Sequence, residues 1–359
     1  MLLAGAIALR GQIAPGWAET DGARLASCGH GRPPRPPDER VDGVLTPALC
    51  DLQVNGAGGH EVAGGSSALD AIDALQLAHG VTSYLPTLIS PDDETAERVL
   101  AEVAERMADP DSPVAGAHLE GPFISADHRG VHPFERLRTP EGGVPTWVEH
   151  PAVRIVTLAP ELPGALALIS RLHARGIAVA LGHSGADADT ARAGFDAGAR
   201  LVTHVFDAMP PLHHRAPGLA GAALLDERVW VPAIADGVHL HPLVLELVRR
   251  AAGRRALLVT DATPATDSPP GRQRMAGLEI EAVGGAARTP DGTLAGSTLT
   301  LDRALRNWTA MTEATLAEAL YAAGEGPRAA ARLPTAADLV EVDCDGVVRR
   351  VMRRGAWLA

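Results

Sequence analysis

Ile177-Ala-Val-Ala-Leu-Gly-His183, then Asp187 to Ala197, then Arg200-Leu-Val-Thr-His-Val-Phe206: a short apolar run, a stretch of helical composition, and a second short apolar run. The runs are too short for buried helices and apolar at nearly every position, so each reads as a strand covered on both faces, with Asp187 suited to open the helix between them. A strand, a crossover helix and a strand make a parallel pair. The rhythm continues on both sides, with runs at Ala48 to Val54, Thr82 to Leu88, Val114 to Glu120, Val153 to Pro160, Val231 to Asp236 and Ala256 to Asp261. Helix candidates fall between runs at Ser67 to His79, Asp92 to Ala108, Leu162 to Arg175 and Pro242 to Ala252. Eight such runs in a span of this size predict an α/β fold, a closed (β/α)₈ TIM-type barrel rather than an open sheet.

The two ends differ from the middle. Arg10 to Thr46 is rich in Gly, Pro and Arg, and Arg32-Pro-Pro-Arg-Pro-Pro37 prevents a helix there. Ala337 to Leu358 returns to β character around the turn Asp343 to Gly346. Pairing the tail with the amino-terminal strands predicts a small β domain from residues 1–46 and 325–359, with the barrel at 47–324.

Composition removes several classes of function. All 32 basic side chains are arginine, so no Schiff-base lysine, phosphate-loop lysine or carboxylated lysine bridging two metals can operate. A net charge of −12 and only 11 aromatic residues make nucleic acid an unsuitable partner. Cys28, Cys50 and Cys344 are odd in number and far apart, which points to a reducing, cytoplasmic setting. Met1 to Leu9 is apolar but lacks the flanks of a signal peptide and reads as a first strand, and no run approaches the ~18 apolar residues of a membrane span.

In such a barrel the chemistry gathers at the carboxyl ends of the strands. Those ends carry Gln53 and Asn55, Glu120, His183, His204, Asp236 with His239, and Asp261. A lone histidine at a strand end more often caps or hydrogen-bonds than ligates. Two imidazoles and a carboxylate converging from three strands are different, because that borderline donor set suits a catalytic divalent ion. The neutral amides of Gln53 and Asn55 are poor ligands for a second ion, and no lysine exists to bridge, so one metal per subunit is expected. The set accepts Zn²⁺, Fe²⁺, Co²⁺ or Mn²⁺, with Zn²⁺ the first choice. His79, His150 and His173 lie in helices or loops and read as solvated surface.

These residues fall in stretches that resemble the N-acetylglucosamine-6-phosphate deacetylases of the amidohydrolase superfamily. The stretches are Asp51-Leu-Gln-Val-Asn-Gly56, His118-Leu-Glu-Gly-Pro-Phe123, Gly130-Val-His-Pro133, Gly182-His-Ser184, Thr203-His204 with Ala208-Met-Pro210, and Arg215-Ala-Pro-Gly-Leu-Ala-Gly221. They continue with Ala235-Asp-Gly-Val-His239, Leu258-Val-Thr-Asp-Ala-Thr263 and Gly292-Thr-Leu-Ala-Gly-Ser297, all in the family's order. The resemblance implies an amide hydrolase that converts N-acetyl-D-glucosamine 6-phosphate to D-glucosamine 6-phosphate and acetate. It implies Glu120, His183 and His204 as metal ligands, and Asp261 as the general base and acid that serves a metal-activated water. It places His132 on the acetamide carbonyl and Gln53 on the attacking water. Arg215 and His239 fall at phosphate positions with Asp207 and Ala208 beside them, and Gly121 and Leu294 complete the substrate contacts. An arginine-bearing loop that reaches a neighbouring site implies a homodimer.

One departure bears on the substrate. The family usually has asparagine where this chain has Asp207, and a carboxylate ~4 Å from a phosphate would repel it by about 4 kcal/mol at an effective dielectric of ~20. Two alternatives therefore stand beside the phosphorylated sugar. One is an N-acyl amino sugar or N-acyl amino acid without the phosphate; the other is a catalytically idle barrel that serves as a binding protein.

Overall fold

The computed structural model describes residues 1–22, 24–334 and 338–358. Ala337, where the tail was expected to begin, and the rest of 335–337 and 359 lie outside the described residues. Six parallel strands run side by side: Leu49–Val54, Val81–Ile89, Ala117–Glu120, Val153–Leu158, Ala178–Leu181 and Leu201–Val202. Val231–Ile234 and Ala256–Val259 form a further parallel pair. Bridges between Leu201 and Trp230 and between Val54 and Ala262 join the two groups and close the ring. The barrel is thus the one expected from the eight apolar runs. Leu49–Val54 is buried at every position, as a strand covered by barrel interior and helices must be.

Several strands are shorter than their apolar runs, and the mouth explains why. The chain leaves the ladder early, turning through positive φ at His183 (48°), His204 (26°) and Asp261 (50°). Such values are uncommon for residues with a β-carbon and concentrate where side chains must be aimed at a site. The helices start where capping residues allow. Asp92 and Asp187 accept the backbone N–H of Thr95 and Thr190, each at 2.8 Å, and open Asp93–Ala108 and Ala188–Ala197. Pro242 opens Pro242–Ala252. Gly164, in the left-handed region, delays the helix expected from Leu162 to Ala165. Strands three and four are joined by a long loop of 3₁₀ turns, Ala126–His128 to Thr146–Glu149, which carries His132.

Both chain ends do build one small β domain. Its seven-stranded sheet has Leu339–Val342 antiparallel to Glu39–Pro47, which in turn lies parallel to Leu2–Leu9. Leu3, Ile7, Ala18, Leu45, Leu339 and Met352 form a core separate from the barrel's. A second sheet was not anticipated. Arg272–Met275, Leu278–Val283, Ala286–Arg288 and Leu294–Ser297 form a four-stranded antiparallel insertion after the eighth barrel strand. Ala265, Met275, Ile280, Ala287 and Ala295 anchor it, with Ile89 and Val131 from the mouth packed against them.

Candidate active site

Glu120 ends the third barrel strand and is the hub of the mouth. Its Oε1 lies 3.1 Å from Nε2 of His183 and 3.1 Å from Nε2 of His204, and it accepts a hydrogen bond from Gln53 Nε2 at 2.9 Å. His132 approaches the other oxygen, with Nε2 3.8 Å from Oε2, while its Nδ1 is 2.8 Å from Ser90 Oγ. The His132 and His183 rings meet edge to face with centroids 4.5 Å apart. Asp261 Oδ1 accepts from Gln53 Nε2 at 3.0 Å and Asn55 Nδ2 at 2.7 Å, and Oδ2 accepts nothing among the described residues. Below them Thr260 Oγ1 donates to buried Asp51 at 2.6 Å, locking the ends of strands one and eight together.

The protonation balance of this cluster favours a cation at its centre. His183 Nδ1 is 2.9 Å from the His128 carbonyl and donates to it, which leaves Nε2 turned toward Glu120. A divalent ion between that nitrogen and the carboxylate oxygen 3.1 Å away would take a lone pair from each. The same oxygen is faced by three nitrogens, more than its two lone pairs can serve. Burial disfavours charge on Glu120, but the imidazoles outweigh it and hold the carboxyl well below its usual range. His204 shows the reverse balance, opposed by burial but pushed up by Glu120 to about 10. Burial, then the neighbouring His183, holds His132 well down and neutral. Burial and the charge of Glu120 raise Asp261.

Glu120, His132 and His183 each present a ligand atom within 4.8 Å of the others, so His132 sits as close to the cluster as a ligand would. His183 and His204 differ from it in sharing one Glu120 oxygen.

The cluster forms the floor of a cavity of about 480 Å³. Glu120, His132, His183, His204, Asp207, Ala208, His239, Asp261 and Leu294 line it, so most residues singled out in the sequence meet there. Gln53 lies beneath, bonded to Glu120 and Asp261. Gly121, at φ 80°, sits behind the wall, where a β-carbon would come within 2.4 Å of Ser90 Oγ. Arg215 does not line its own chain's cavity; its loop is exposed, with Nη1 2.8 Å from His214 Nε2. His239 Nδ1 pairs with Asp236 at 2.7 Å. Asp207 Oδ2 is buried without a hydrogen-bond partner among the described residues, and burial pushes the carboxyl up to about 6.

Asn55 was read only as a poor ligand for a second ion, and several other lining or supporting residues were not singled out. Asn55 stands two residues after Gln53 and bonds Asp261, a role the alternation along a strand end signals. Ser90 follows the second barrel strand, and only its contact with His132 reveals it. Met275 and Arg288 come from the insertion sheet, which no apolar rhythm marked.

No family model matches the chain. It is 40% identical over 297 residues to the N-acetylgalactosamine-6-phosphate deacetylase of Escherichia coli O157:H7, covering 80% of this chain and 78% of that one. It is 38% identical over 309 residues to the N-acetylglucosamine-6-phosphate deacetylase of Danio rerio, covering 81% and 76%. A solved mutant of N-acetyl-D-glucosamine-6-phosphate deacetylase from Mycobacterium smegmatis, in complex with N-acetyl-D-glucosamine-6-phosphate, superposes with a TM-score of 0.89 at 34% identity over 99% of this chain and 98% of that one. With its carboxylate, imidazoles and Asp261 gathered in one barrel mouth, the chain belongs to the N-acetylglucosamine-6-phosphate deacetylase family.

Proposed function

We propose that the protein hydrolyses the acetamide of N-acetyl-D-glucosamine 6-phosphate to D-glucosamine 6-phosphate and acetate. The observation that carries this reading is the Glu120 oxygen shared by two imidazoles, with Asp261 beside it in the same cavity. Glu120, His183 and His204 would hold one divalent ion, Zn²⁺ first among the candidates. Such an ion supplies Lewis acidity toward water and carbonyl oxygen.

The chain's own groups do the rest. Gln53 and Asn55 both donate to Oδ1 of Asp261, which leaves Oδ2 to take a proton from the attacking water. The raised affinity of Asp261 for protons suits it to hold that proton and return it to the amine nitrogen as the C–N bond breaks. Ser90 Oγ lies 2.8 Å from Nδ1 of His132; donating there, it would keep the ring's proton on Nε2 to stabilise the developing charge on the acetyl oxygen. Water thus adds to the carbonyl carbon, its proton goes to the amine, and acetate leaves. A homodimer fits the exposed His213-His214-Arg215 loop, which lies off its own cavity and is free to reach a neighbour's. Cytoplasmic residence fits the three free cysteines, and no described helix is long and apolar enough to cross a membrane.

A second reading, an N-acyl sugar without the phosphate, is favoured by Asp207 on the cavity lining, whose carboxylate would repel a phosphate dianion. The two are separated by kcat/KM for N-acetylglucosamine with and without its 6-phosphate. Preference for the phosphorylated sugar supports the first reading, and preference for the plain sugar supports the second. Absence of acetate release from either sinks both.

A further inference from the structure

A second cavity, of about 240 Å³, lies where the small β domain meets the barrel, and it shares no lining residue with the mouth. The turn Arg10-Gly11, between strands Leu2–Leu9 and Gln12–Thr20, forms one side. Residues of helices Pro242–Ala252, Leu301–Met311 and Leu316–Ala323 form the other, with Ala256 at the start of the eighth barrel strand, so the cavity sits at the opposite end of the barrel from the mouth. Its charges do not cancel. Arg10, Arg249 and Arg254 line it against one carboxylate, Glu318. Arg249 is engaged, donating to both oxygens of Glu246 at 2.8 and 2.9 Å and to Oε1 of Glu318 at 3.1 Å. Oε2 of Glu318 is engaged too, accepting from the Thr315 N–H at 2.7 Å and hydroxyl at 3.0 Å in the cap of its own helix. Glu325 accepts only from the backbone N–H of Arg10, at 2.6 Å, and Arg254 stacks on Tyr321 with Cζ 4.4 Å from the ring centroid. Neither of these two guanidinium groups has a hydrogen-bond or ion-pair partner among the described residues. Trp308 also lines the cavity while only 1% exposed, and its indole N–H has no acceptor among the described residues. A buried donor of this kind is costly unless something in the cavity accepts from it.

We propose that this cavity binds a small organic dianion, a dicarboxylate or a phosphate monoester, clamped between the Arg10 turn and the base of the barrel. Arg10 and Arg254 each offer a planar fork that matches an anionic group bidentately. The indole N–H of Trp308 adds a donor, and the rings of Trp308 and Tyr321 give an apolar wall for the carbon skeleton between the charges. A ligand held by both sides ties the small domain to the barrel and stabilises the folded chain. The site is separate from the deacetylase centre and does not depend on that reading.

The test is calorimetric titration and thermal melting of the metal-loaded protein with succinate, with glycerol phosphate, and with succinamide, the uncharged counterpart of succinate. At least one dianion should bind and raise Tm while succinamide does neither, and which dianion binds separates a carboxylate ligand from a phosphate one. Arg10→Met and Arg254→Met, on different elements, should each weaken that binding about tenfold or more, and Arg254→Lys should recover part of the loss. Both positions are exposed, so the variants should melt like wild type without ligand. Dianions that bind no better than succinamide overturn the proposal. So does an affinity unchanged in either methionine variant, since the anion would then sit elsewhere, as in the mouth.

Discussion

Asp261 has one oxygen tied by two amides and one without a bond, a division of labour that a proton carrier needs. Asp261→Asn should retain its metal and lose kcat by about 10²- to 10⁴-fold, the range for removing a general acid–base group. Metal content and turnover of the same preparation check this, and near-native turnover would refute the role. Asp207 makes an opposite prediction. Its carboxyl beside the cavity disfavours a dianion, so Asp207→Asn should raise kcat/KM for the 6-phosphorylated sugar at least about tenfold relative to the plain sugar, as expected from removing a like charge at an effective dielectric of ~20. No change in that ratio would show that the carboxyl does not face the phosphate.

Among the elements, the strands were the most legible, because burial on both faces demands apolar residues at nearly every position. Helix starts were legible where Asp or Pro caps them, as at Asp92, Asp187 and Pro242. The insertion sheet was not: Leu278–Val283 is exposed at all but Ile280, so hydrophobic patterning is too weak to mark it. His79 was also misread. It looked like solvated surface, but Nε2 lies 2.7 Å from Asp267 and Nδ1 3.1 Å from Asp302, pinning the end of helix Ser66–Ala78 to the start of helix Leu301–Met311. Each charge also sits at the helix end its sign favours.

Asp302, above all, raises His79, while His79 overcomes burial to hold Asp302 low. The sign follows for both groups. A raised His79 stabilises fully below its unfolded value of about 6.5 and loses that contribution as pH rises through its folded value. A depressed Asp302 stabilises fully above about 3.9 and loses it on acidification. Their joint contribution is greatest between about pH 4 and 6.5, and amounts to ~1 kcal/mol after screening by the water that reaches His79. His79→Gln should flatten the decline in stability from pH 6 to 9, as read from denaturant midpoints. An unchanged slope would count against the pair.

At the scale of the molecule, the metal cluster draws on strands three, five and six together with the loop after strand three, so filling it ties the mouth together. Chelation should lower Tm, and excess Zn²⁺ should restore it. An ion at 100 times its Kd adds about 2.7 kcal/mol. A Tm that does not respond to chelation and reloading would argue against a site built by Glu120, His183 and His204.

The sequence by itself determined the barrel, since eight buried parallel strands leave a repeated apolar signature, and it determined which residues end those strands and hence meet at the mouth. It also set the chemical limits, because a chain without lysine must bind anions through arginine, histidine or backbone. Only the tertiary structure decided that Ser90 supports His132, that Arg288 rather than Arg215 lines its own chain's cavity, and that an unmarked antiparallel sheet carries it there. The reason is physical: burial imposes a pattern on local sequence, whereas contacts between distant polar side chains depend on where separate loops and strands converge.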